Sequence, residues 1–173
     1  TSFEWGTNPC LHPDSMIETV YGRMKIKDIT EPTFVYSMDE EGRLVIRPCT
    51  ASYISKRNVS TIRIHISSGK IVTCTPDHKI YIEDRGWVEA KNIHIGDCVI
   101  HLNGQEFDTE PVYAITEGPV TDVYDLLVED THNFIADFVV VRNCSEIILR
   151  PKQLCNLTEC VIRSSDTVED LSR

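Results

Sequence analysis

The chain lacks any excess of basic residues: 17 Lys and Arg stand against 27 Asp and Glu, for a formal charge of -10. Phosphate contacts need clustered cations, so this balance argues against a nucleic-acid partner. No apolar run reaches membrane-spanning length, and Thr1-Ser2-Phe3-Glu4-Trp5 has neither the basic start nor the apolar core of a signal peptide. The expectation is a soluble, monomeric protein of the cytoplasm with no membrane partner. The seven cysteines (10, 49, 74, 98, 144, 155 and 160) are odd in number and lack CxxC spacing. They suit thiols of a reducing compartment better than a disulfide framework or a structural zinc site, so no metal is expected. A zinc-binding structural domain built on cysteine and histidine stays open as a reading of a different class. Helical periodicity is also scarce, limited to one short stretch near Glu89 to Ile93.

Strand signals are plentiful. Ile62, Ile64 and Ile66 alternate with Arg63, His65 and Ser67, the period of a half-buried strand. Turns fall at Asp39-Glu40-Glu41-Gly42, Ser67-Ser68-Gly69-Lys70, Glu83-Asp84-Arg85-Gly86 and Asn103-Gly104, the last a strong hairpin signal. The class is therefore all-β, with many short strands. Residues 1–9 and 144–173 lack this rhythm, leaving a middle segment, 10–143, of ordinary domain size. Within it a faint repeat recurs at an offset of 63 or 64 residues. Lys27-Asp28-Ile29 matches Lys91-Asn92-Ile93, Arg47-Pro48 to Ala51 matches Glu110-Pro111 to Ala114, and Gly69-Lys70-Ile71 lines up with His132-Asn133-Phe134. Three matches in order favour two halves related by a pseudo-two-fold axis.

Chemistry concentrates at both ends of that segment. The run Val139-Val140-Val141-Arg142 delivers Asn143 against Cys144, and Cys10 follows Pro9 far upstream. Asn143 can attack its own carbonyl carbon through its amide, closing a five-membered succinimide and breaking the Asn143–Cys144 bond. Cys10 can attack the carbonyl of Pro9 and turn that amide into a thioester. Both are intramolecular ring closures, which gain a large proximity advantage. Thr75-Pro76-Asp77-His78 follows a strand, so Thr75 and His78 could reach one carbonyl together, the histidine as proton carrier. Asp125, between apolar neighbours in Val123-Tyr124-Asp125-Leu126-Leu127-Val128, is unusual without a partner. Alternation sets it opposite Tyr124, Leu126 and Val128. His132 could assist the Asn143 amide. Each residue also has a plain role: Cys10 a small buried residue, Thr75 to His78 a capped turn with a solvated His, Asp125 an edge-strand acid, His132 a loop residue.

Together these positions resemble an intein, a self-splicing insert of the Hint (Hedgehog and intein) fold. The matching features are Cys10 at the front, TxxH at Thr75 to His78, VYDLxVE followed by HNF (Tyr124, Asp125, His132), and Asn143 before Cys144. The resemblance implies a horseshoe-like Hint fold in which Thr75 and His78 promote the N-to-S acyl shift at Cys10. It implies that Cys144 takes over the acyl group, with Asp125 and His132 supporting that transfer and Asn143 cyclisation. No cofactor is implied, the substrate is the chain's own flanks, and each domain acts once. Asn103 to Thr109 reads as a short polar loop with no room for a homing endonuclease, hence a mini-intein. A Hedgehog-type or bacterial intein-like domain, which cleaves only its N-terminal bond, is the neighbouring alternative. An inactive insert is another.

Joining Pro9 to Cys144 gives Gly6-Thr7-Asn8-Pro9-Cys144-Ser145-Glu146-Ile147. This resembles the NxCxE active-site segment of a ribonucleotide reductase large chain. The resemblance makes Cys144 the radical cysteine of the host, with Asn8 and Glu146 beside it. One position departs from the intein pattern: Arg142 stands where His is usual. A guanidinium donates hydrogen bonds but does not release a proton at accessible pH. Slow Asn143 cyclisation follows as an expectation, with His132 carrying more of the proton transfer. Arg142→His should speed release of the C-terminal flank, read as intact mass against time; an unchanged or slower release refutes this.

Overall fold

The apolar run ending at Asn143 forms the strand Val139–Arg142, paired with Asn133–Ala136, in a computed structural model that describes residues 10–143. Phe134, Ala136, Val139 and Val141 enter the main core, while Ile135 and Val140 join a second cluster with Met38 and Leu102. Covered on both faces, this hairpin needs apolar residues at successive positions, which is why it reads as a run and not as an alternation. The turn, Asp137-Phe138, has positive φ at both residues (51° and 72°), as a two-residue turn with the twist of its strands requires. Phe138 is an unusual residue for that geometry. Its ring lies beneath two cations, Arg23 at 4.5 Å and Lys70 at 4.8 Å.

Among the described residues, twelve strands form one sheet with this hairpin at its centre. On one side follow Met16–Thr19, Thr33–Met38 and Leu44–Cys49; on the other, Lys79–Ile82, Cys98–Asn103 and Glu106–Glu117, the last continuing to Ile62–Ile66 and Ile71–Cys74. The pairs are antiparallel, and the strands next to the hairpin each carry an extra partner, Gly22–Lys25 and Gly86–Glu89. A second, two-stranded sheet joins Tyr53–Val59 to Thr121–Asp125. The architecture is all-β, as expected.

The expected duplication is visible at atomic detail. Two 3-10 turns, Ile26–Asp28 and Ala90–Asn92, occupy equivalent places, each entered from a residue near φ -65° and ψ 141°. Ile26 N–H donates to Ser15 O and Ala90 N–H to His78 O; Lys27 N–H reaches Pro13 O as Lys91 N–H reaches Pro76 O. The repeated unit therefore includes His12-Pro13-Asp14-Ser15 and Thr75-Pro76-Asp77-His78, at the same offset of 63 residues. That match was open to sequence reading and was missed, along with the 3-10 turn at Ile26. Leu11 pairs with Cys74 near the axis. The flanking bonds are images of one another: His12 N–H to Thr73 O at 3.0 Å, and Thr75 N–H to Cys10 O at 2.9 Å.

Two local expectations change. Asn103 to Thr109 is not a loop: Cys98–Asn103 and Glu106–Glu117 pair through Asn103 and Glu106, leaving a two-residue turn led by Gly104 at φ +69°. Polar side chains there belong to a solvated hairpin. The strand at Asp125 also ends there, and Val123 and Asp125 share its buried face while Tyr124 is half-buried. Leu126 and Val128 are buried because the chain leaves the alternation after Asp125.

At the hairpin turn, burial pushes the Asp137 carboxyl up to about 6, against the Met16 N–H bond that lowers it. A folded-state value above the unfolded one favours the protonated form. Stability should then fall as pH rises from about 4 to about 6 and level off above, by roughly 1–3 kcal/mol. Asp137→Asn keeps an acceptor for Met16 and tolerates positive φ. It should remove that slope and unfold at higher urea than the parent at pH 7.

Candidate active site

Leu11 is held on both edges, pairing with Cys74 on one side and with Tyr124 on the other. Antiparallel register then sets Cys10 opposite Thr75 on one edge and opposite Asp125 on the other. Leu11 and Tyr124 exchange both backbone hydrogen bonds, each 2.9 Å. Cys10 and Asp125 therefore meet as a non-hydrogen-bonded pair, in which cross-strand Cβ atoms lie about 4.5–5.5 Å apart on one face. Cys10 and Asp125 are fully buried.

Thr75 grips the backbone of Cys10 at three points. Cys10 N–H donates to Thr75 Oγ1 at 2.9 Å, Thr75 N–H donates to Cys10 O at 2.9 Å, and the Thr75 hydroxyl lies 3.4 Å from the same oxygen. The nitrogen so anchored is the one in the Pro9–Cys10 bond. His78 is fully buried, not solvated. Its N–H closes a turn onto Thr75 O at 3.1 Å, with Pro76 in the second turn position that favours its φ. The bonds from Ala90 and Lys91 to His78 O and Pro76 O clamp this turn from outside.

At the other end, Asn143 is buried and its N–H donates to His132 O at 3.0 Å. Its Oδ1 accepts Val128 N–H at 3.0 Å. This fixes the amide so that Nδ2 is the free end, and among the described residues Nδ2 is buried with no hydrogen-bond partner. The Val128 N–H was not foreseen, since a backbone donor has no sequence signature. His132 is exposed, in the left-handed region at φ 57°, and meets Asn143 through its backbone. The Arg142 guanidinium lies over Trp87, 5.6 Å from the ring centroid. Asn133 beside it is tied to Met38 by both amide atoms, to N–H at 2.8 Å and O at 2.9 Å, which locks this end of the hairpin.

One short segment links the two ends. Asp125 flanks Cys10 and Val128 holds Asn143, three residues apart, at most about 11 Å of extended chain. Pro9, Cys144, Asn8 and Glu146 lie outside the described residues.

A buried thiol, a threonine on its amide nitrogen, a buried imidazole and a carboxylate at one end, with an oriented carboxamide at the other, are set on a duplicated β scaffold. This is the architecture of a Hint domain. The chain belongs to the family described as the pretoxin HINT domain, whose model matches residues 16–146. It is similar in fold to a DnaB intein from Synechocystis sp. PCC 6803, with a TM-score of 0.73 at 20% identity over 78% of this chain and 98% of that one. A bacterial intein-like domain from Clostridium thermocellum gives 0.68 at 22% identity, over 78% of this chain and 98% of that one. In sequence the chain is similar to the DNA polymerase II large subunit of Methanoculleus marisnigri (strain ATCC 35101 / DSM 1498 / JR1), 25% identical over 122 residues, 68% of this chain. The chain spans about a tenth of the length of that relative.

Thr75→Val removes the acceptor for Cys10 N–H with little change of shape. Cleavage before Cys10 by added thiol should slow by about a hundredfold or more. The unfolding free energy should fall by only about 1–3 kcal/mol. The checks are intact mass and urea titration on the same protein.

Proposed function

We propose that this domain excises itself by protein splicing, joining Pro9 to Cys144. The observation that carries the reading is the linkage of Cys10 and Asn143 through the segment Asp125 to Val128. Cys10 Sγ attacks the Pro9 carbonyl carbon; the carbon–nitrogen bond breaks and the amine takes up a proton. Thr75 holds the departing nitrogen, and His78, sealed on the same turn, moves the proton. Cys144 Sγ then attacks the thioester, and Cys10 leaves as a thiol, with Asp125 beside it to take part in proton exchange. Asn143 Nδ2 attacks its own carbonyl carbon, the bond to Cys144 breaks, and the succinimide stays on the domain. A donor on Oδ1 stabilises the negative charge that grows there as Nδ2 gives up its proton, so Val128 N–H assists this step. The freed Cys144 amine finally displaces its own sulfur and restores an amide.

In this reading residues 1–9 and 144–173 are flanks of a ribonucleotide reductase large chain, and 10–143 is a mini-intein acting in the cytoplasm without a cofactor. Placing Asn8, Cys144 and Glu146 in one catalytic segment makes host activity depend on splicing. A second reading, an insert that cuts slowly at one junction, is favoured by Arg142, whose guanidinium lies over Trp87. The zinc-binding reading is opposed by the placing of the ligand types: among the described residues no three His, Cys, Asp or Glu side chains come together as a metal-holding group.

Intact mass against time after adding reductant to the purified chain separates these readings. Splicing yields a 134-residue species and a ligated 39-residue peptide; hydrolysis leaves separate 9- and 30-residue flanks. An unchanged mass refutes splicing.

A further inference from the structure

Next to Arg142 the surface opens into a groove of about 920 Å³. Its apolar wall is built by Met38, Tyr81, Trp87, Ile100 and Phe107, with Tyr81 and Trp87 edge to face at 5.1 Å. On the rim, Asp39 and Glu41 are occupied by Arg43 at 3.0 and 3.2 Å. Neighbouring Glu40 has no ion pair among the described residues. The wall is aromatic and partly exposed, the composition of a seat for aliphatic side chains.

Two observations name the occupant. Arg142 lines the groove, and the described residues end one position later, at Asn143. The sequence after the junction, Ile147-Ile148-Leu149-Arg150, offers three aliphatic side chains for the wall and one cation for Glu40. The six residues from Asn143 to Leu149 reach about 20 Å when extended, enough to lie along the wall.

We propose that residues 147–150 dock in this groove and that their fit governs how fast the C-terminal junction is cut. The proposal rests on the splicing reading for its second half only. Residues well beyond the scissile bond would then be specificity determinants of the insert, with Trp87 and Phe107 as the surfaces that read them. Docking would hold the junction still while Asn143 closes on its own carbonyl, a gain in positioning.

The test uses the full chain with Trp5→Phe, which leaves Trp87 as its sole indole. Emission, acrylamide quenching and flank release are compared between this protein and the same chain carrying Ile147→Ser, Ile148→Ser and Leu149→Ser. These changes lie outside residues 10–143. The expected result is red-shifted, more quenchable Trp87 emission and about tenfold slower release of the C-terminal flank. Thiol cleavage before Cys10 should not change. Equal emission in the two chains overturns the docking, whatever the release rates. So does a Trp87 signal that varies with protein concentration, which would give the groove to a second copy. A shifted emission with equal release overturns the link to rate. A shifted emission with no bond cut in either chain leaves the docking standing and removes the splicing reading.

Discussion

Leu11, paired on one edge with Cys74 and on the other with Tyr124, is the constraint on which the site depends. A residue in the middle of three strands has no freedom to slip. A register change of one residue would turn Cys10 away from Thr75 and Asp125 together. Because Cys74 and Leu11 are near-equivalent positions of the two halves, the contact that builds the site is also the contact between the repeats. The fold and the candidate site are thus held by the same backbone bonds.

The duplication lets one scaffold place unlike side chains at equivalent positions. Each half contributes a Pro-Asp turn clamped by a 3-10 turn, yet one turn ends in Ser15 and the other in His78. In the first, His12 Nδ1 accepts Asp14 N–H. The second closes over Cys10. The central hairpin, buried on both faces, carries Asn143 at its end with little play, and the Asn133 amide fastens that end to Met38.

Several features were legible from the residues alone. Alternation at Ile62 to Ile66, the hairpin signalled by Asn103-Gly104 and the repeat all correspond to observed elements, because each rests on local periodicity or turn chemistry. The candidate positions could be named for the same reason: Cys10, Asn143 and the Thr75 to His78 turn are chemically distinctive where they stand. Alternation predicts Leu126 and Val128 on the face opposite Asp125, yet the strand ends at Asp125 and all three are buried, since where an alternation stops depends on what packs beyond it. The loop read at Asn103 to Thr109 failed similarly: polar residues describe exposure, and an exposed hairpin is as polar as a loop.

The sequence by itself determined the all-β class, the two-part repeat and the identity of the candidate groups, since these depend on spacing and side-chain chemistry. Only the tertiary structure decided which groups meet. Burial of His78, the placing of Asp125 against Cys10 and the hold of Val128 N–H on the Asn143 amide arise from backbone pairing between residues far apart in the chain. Such pairing is a property of the closed sheet, and no local stretch encodes it.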